Sequence, residues 1–126
     1  MHIEHIIFSN LTTNEQYVRK VIPFLKSDYF HNDQDKTLYN LITDYIAKYD
    51  ALPTKEALKI DLCNLKNISQ QQYDQCNTLI DELEASKDTS IDWLVDNTEK
   101  FCKDKALYNA LMQSIKIVDD LSLIHI

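Results

Sequence analysis

His2 and His5 stand three residues apart. On a helix that spacing puts two imidazoles on neighbouring turns of one face, where their ring nitrogens can ligate a metal ion. A metal site needs further ligands, and no cluster of them accompanies this pair. The sequence has no H-E-x-x-H and no paired His-Asp constellation, so a small metal-dependent hydrolase is disfavoured and solvated histidines are expected. Cys63, Cys76 and Cys102 lack C-x-x-C spacing, which disfavours zinc. Their odd number points to reduced, partly buried thiols, as in a cytoplasmic protein. The chain contains no glycine. Neither a P-loop nor a dinucleotide-binding fingerprint therefore lies within these residues, because both need glycine for close backbone approach to phosphate. No catalytic residue, no metal ligand and no cofactor-binding residue is assigned.

The same composition bounds the fold. At 126 residues, 44% hydrophobic and 26% charged, the chain is one globular domain with a real core. Without glycine, the two-residue hairpin turns that favour Asn-Gly or Asp-Gly are excluded. With only two prolines, long helices are the natural outcome. The net charge of −7 makes a broad DNA-backbone surface a poor expectation. No apolar run approaches the ~18 residues of a membrane span, and no signal peptide is visible. The expected class is all-α, about six helices.

The stretch from Asp35 to Leu58 organises the rest. Leu38, Leu41, Ile42, Tyr45, Ile46 and Tyr49 recur at spacings of three and four and share a helical face. Asp35, Lys36, Asp44 and Lys48 are expected on the wet face. Pro53 is expected to stop this helix and Thr54 to cap the next, with Leu58, Leu62 and Leu65 inward. Before it, Ile3, Ile6, Ile7 and Leu11 form one stripe. Thr12 or Thr13 opens a short helix through a capping box, with Tyr17, Val21 and Val18 inward. Ile22-Pro23-Phe24-Leu25 ends that helix, and Tyr29 and Phe30 anchor the connector to the core. After it, Ser69 and Gln72 form another capping box, opening a helix with Tyr73, Cys76, Ile80 and Leu83 inward and Leu79 beside them. Residues 85–90 read as a short turn.

The last helix, capped by Thr89 or Ser90, is expected to run to about Asp120. Its stripe is Ile91, Leu94, Val95, Phe101, Cys102, Tyr108, Leu111, Met112, Ile115 and Val118. Such a helix spans about 45 Å at ~1.5 Å per residue. A compact chain of this size is only roughly 36 Å across. The helix therefore kinks, packs lengthwise across the bundle, or projects with the preceding helix as a hairpin. The last six residues, LSLIHI, read like the translation of a sequencing-library transposon end. The expected organisation is a domain over residues 1–120 and a non-native tail over 121–126, with the coding sequence interrupted near Asp120.

The ordered pattern FSNL, YVRKVIPFLKSDYF, LYNLITDYIAKY, LPTKEAL resembles the N-terminal domain of DnaB-like replicative DNA helicases, in particular those of T-even-like phages. The later run ASKDTSIDWLVDNTEKFCKDKALYNA is similar to that group as well, at Trp93-Leu94-Val95 and Thr98-Glu99-Lys100. The resemblance runs from about Ile7 to Val118. It implies a small helical head plus a protruding C-terminal helical hairpin, forming a non-catalytic collar that stabilises a hexamer and docks primase or a helicase loader. ATP, Mg²⁺ and 5′-to-3′ unwinding would belong to a motor domain outside these residues. DNA would be met only through the full hexamer, in the host cytoplasm for a phage protein. Together with the helix length, the resemblance names Phe101, Tyr108, Leu111, Met112 and Ile115 as the candidate subunit interface. The alternative reading is a self-contained acidic helical adaptor of phage origin that binds a host or phage protein.

Overall fold

Asn14 closes one helix and opens the next. Its backbone N–H donates to the Asn10 carbonyl (2.9 Å), and its side chain accepts from the Tyr17 N–H (3.1 Å). The extended backbone at Asn14 lets its short amide reach the free donors of the following turn. The expected Thr12 or Thr13 capping box does not form. The Thr12 and Thr13 hydroxyls donate backward to the Ser9 carbonyl at 2.9 and 2.7 Å, which keeps them inside the preceding helix.

In the computed structural model, residues 3–84 and 89–124 are described, with side chains as far as 118. They form six α-helices, one 3-10 turn and no strand. These are α1 Ile3–Thr13, α2 Glu15–Val21, the 3-10 turn Ser27–Tyr29, α3 Asp33–Tyr49, α4 Lys55–Cys63, α5 Gln70–Asp81 and α6 Ile91–Ile124. The all-α class and the helix count agree with the sequence. The expected turn over 85–90 lies largely outside the described residues, as do the last two residues of the 121–126 tail. The described part of that tail continues α6 as helix.

Helix α3 is central. It packs on α4 and α5 with one side, and on α1 and the 3-10 turn with another. Leu38, Leu41 and Ile42 are buried as their spacing requires. Tyr45 and Ile46 are half-buried and Tyr49 is exposed, because the core narrows toward the end of the helix. Tyr39, off the expected stripe, is buried and donates its hydroxyl to the Leu25 carbonyl (3.0 Å). Asp35, expected on the wet face, is buried too, and accepts from the Asn32 amide at 3.4 Å. The helix ends at Tyr49, four residues before its proline. Asp50 takes the left-handed conformation (φ 51°) and its N–H bonds the Ile46 carbonyl, a cap that Asp tolerates better than most residues.

Thr54 caps α4 and the Ser69–Gln72 capping box opens α5, both as the sequence predicts. Leu58 and Leu62 are buried, but Leu65 is exposed: α4 stops at Cys63, so helical spacing no longer aims Leu65 inward. Lys55 donates to the Asp81 carbonyl and Lys59 pairs with the Asp81 carboxylate, placing positive charge at the end of α5 where the helix dipole favours it. The thiols of Cys76 and Cys102 are buried and that of Cys63 is exposed.

Phe30 is the aromatic hub. Its ring centroid lies 4.9 Å from Phe8, 5.2 Å from Tyr39 and 5.5 Å from Phe101. One connector residue thus joins α1, α3 and α6. Each such pair adds about 0.5–1.5 kcal/mol beyond the area it buries.

Candidate subunit interface

Helix α6 leaves the head midway. Over its first turns Leu94, Thr98, Phe101 and Cys102 are buried against α1, α2 and the 3-10 turn. From Ala110 to Val118 every side chain is exposed. The length argument is thus answered by projection. The projecting element is α6 by itself: α5, the expected other arm of a hairpin, packs on α3 and α4 through Cys76 and Ile80.

On one side of the projection, five large apolar side chains are at least half exposed: Leu107 (62%), Tyr108 (50%), Leu111 (56%), Ile115 (54%) and Val118 (60%), and Met112 is nearly so. At 100° per residue these six fall within about 140° of the helix circumference. Tyr108, Leu111, Ile115 and Val118 alternate by three and four, which is the a/d seam of a coiled coil. Ile117 lies on the opposite side and takes no part. The seam covers about 16 Å, at ~1.5 Å per residue. Exposed apolar stripes beside charged neighbours are a general feature of protein contact surfaces, and this stripe is the candidate on α6.

The candidate residues named from the sequence divide between two environments. Phe101 belongs to the head: it is buried against Phe30 and takes no place in an exposed seam. Tyr108 stands at the margin, its ring 4.9 Å from that of His31. Leu111, Met112 and Ile115 lie fully on the projection. Leu107 was missed, although it stands four residues before Leu111 and shares its face. Phe101 and Tyr108 are seven residues apart, a spacing that drifts only about 20° around a helix, so a head contact and a distal contact share one pattern. Beside the base of the seam lies an open groove of about 760 Å³, lined by Ile3, His31, Lys100, Phe101, Asp104 and Tyr108 among others.

Other chemistry is sparse. Among the described residues no group of three His, Cys, Asp or Glu side chains gathers as a metal site. His5 lies 4.0 Å from the Glu82 carboxylate, and His2 lies outside the described residues. Burial pushes the Cys76 thiol up to about 11, helped by nearby Asp35. Burial pushes Cys102 to about 11 as well, helped by Glu99. Both are thereby kept protonated and poor nucleophiles. No helix among the described residues is long and apolar enough to cross a membrane.

No family model matches the chain. Over 112 residues it is 33% identical to the DnaB-like replicative helicase of Enterobacteria phage T4. This chain is a relative of a DnaB-like replicative helicase. The match takes in 89% of this chain and 23% of the phage T4 protein. The resemblance carried by order and spacing in the sequence is therefore borne out over most of the chain's length.

Proposed function

We propose that the chain is a non-catalytic assembly domain of a replicative hexameric DNA helicase, the part that forms a collar, and that its ATP-hydrolysing motor is encoded elsewhere in a longer protein. The observation that carries this reading is the match itself: nearly all of this chain aligns with under a quarter of a DnaB-like replicative helicase. Within the aligned length there is no glycine from which to build a phosphate-binding loop. The open seam on α6 supplies a means of assembly, self-association of two copies leading toward the hexamer. Docking of primase or a helicase loader is the second role of such a collar. DNA is met only through the complete ring, in the host cytoplasm. ATP and Mg²⁺ act in the motor.

Nucleotide turnover tests this directly. The purified chain is expected to hydrolyse no ATP and to unwind no duplex, with or without single-stranded DNA. Turnover above that of a mock preparation would overturn the reading.

A further inference from the structure

Where α6 leaves the head, one side chain reaches back in two directions. The Asn109 amide donates to the Asp28 carbonyl at 3.0 Å, and its oxygen lies 3.1 Å from His31 Nε2. Because the amide nitrogen serves Asp28, the oxygen must accept, so His31 carries its proton on Nε2 and donates. The His31 ring also packs on Tyr108. Asp28 lies in the 3-10 turn and His31 just past Phe30, and Phe30 is locked in the core. Asn109 therefore ties the projection to a rigid point of the head, two turns beyond Cys102, the last buried side chain before it.

We propose that Asn109, His31 and Asp28 form a clasp that fixes the direction in which the distal half of α6 leaves the head. A single helix is a lever. From Asn109 to the end of α6 is about 22 Å, so a tilt of roughly 10° at the base moves the tip by about 4 Å. A shift of about 4 Å is close to half the roughly 8–10 Å that separates the axes of packed helices. The clasp bonds are exposed and individually weak. Their position, rather than their strength, gives them leverage. Asn109 and His31 are positioning residues, and the inference rests on intramolecular contacts alone, independent of what the seam binds.

The test is an intramolecular distance. Spin labels at the native, exposed Cys63 on α4 and at Ser114→Cys on the projection report the angle by pulsed electron resonance. Cys76 and Cys102 are buried and stay unlabelled. Labelled protein is diluted into excess unlabelled protein, so only distances within one chain contribute. Asn109→Ala and His31→Ala are expected to broaden the distance distribution roughly two-fold, with unchanged circular dichroism. His31→Gln, which keeps a donor toward Asn109, is expected to restore much of the narrow distribution. Unchanged widths in both alanine variants would overturn the clasp. So would a glutamine variant as broad as alanine. Loss of helicity in both alanine variants would overturn it too, by making the trio part of the head's core.

Discussion

The Tyr17 hydroxyl donates to the Thr98 hydroxyl across 2.6 Å of buried space. The direction follows because Thr98 already gives its own proton to the Leu94 carbonyl at 2.7 Å. Two residues 81 apart in sequence thereby join α2 to the part of α6 that lies within the head. Tyr17→Phe removes the donor and leaves Thr98 bonded to Leu94. It is expected to cost about 1 kcal/mol, the ordinary net value of one hydrogen bond, read as a shift in the urea midpoint.

Burial raises Tyr17 and Tyr39 above the usual phenol value and both buried thiols from 9.0 to about 11. Raised acids bind protons more tightly in the folded state than in the unfolded one. Their contribution is complete below about pH 9 and is lost as pH rises through the thiol and then the phenol range. Urea midpoints are expected to be level between pH 7 and 8 and to fall above about pH 9. In Tyr17→Phe the part of the fall above about pH 10 should be shallower. A midpoint that rises with alkali would contradict the assignment.

At the α1–α2 junction, Asn14→Ala is expected to cost about 1 kcal/mol, because the Tyr17 N–H loses its capping acceptor. Thr13→Ala should cost less, since that hydroxyl only donates backward to a carbonyl already engaged within α1. Chemical denaturation of the two variants side by side checks the order. A larger effect at Thr13 would restore the capping box that the sequence suggested.

Ile42 is fully buried at the middle of α3. Ile42→Ala is expected to cost roughly 2–5 kcal/mol. Tyr49→Ala, at the exposed end of the same expected stripe, should shift the urea midpoint little. Equal effects would mean that the core extends along the whole of α3.

Periodicity was enough to find the helices and most of their inward faces, because burial of a stripe every three or four residues is what makes these helices stable. It failed where something other than the stripe decides. Asp35 is buried near Cys76 of α5, and the Tyr39 hydroxyl finds the Leu25 carbonyl; neither neighbour is visible in local spacing. Asn14 outcompeted two threonines for a cap by geometry alone. On α6 the pattern ran unbroken from Leu94 to Val118, and only the size of the head determined where burial stops. That Leu111, Met112 and Ile115 share a helical face was legible from that pattern, and the structure leaves them exposed. Phe101 was misplaced by it, and the His31–Asn109 contact carried no signal, since it joins a connector to a helix 78 residues away.

The net charge of −7 predicts weak binding to single-stranded DNA that falls further with salt. Fluorescence anisotropy at physiological salt should show no submicromolar affinity. Tight binding there would require a local basic patch.

The central claim is that the open face of α6 is an assembly surface. Sedimentation velocity across a concentration series, read beside circular dichroism, tests it most directly. The wild-type chain is expected to self-associate as concentration rises. Leu111→Asp should stay monomeric with its helicity intact, because a charge placed in an apolar seam loses its solvation without gaining a partner. A wild-type chain that stays strictly monomeric at hundreds of micromolar, or a Leu111→Asp variant that associates as readily as wild type, would contradict the account.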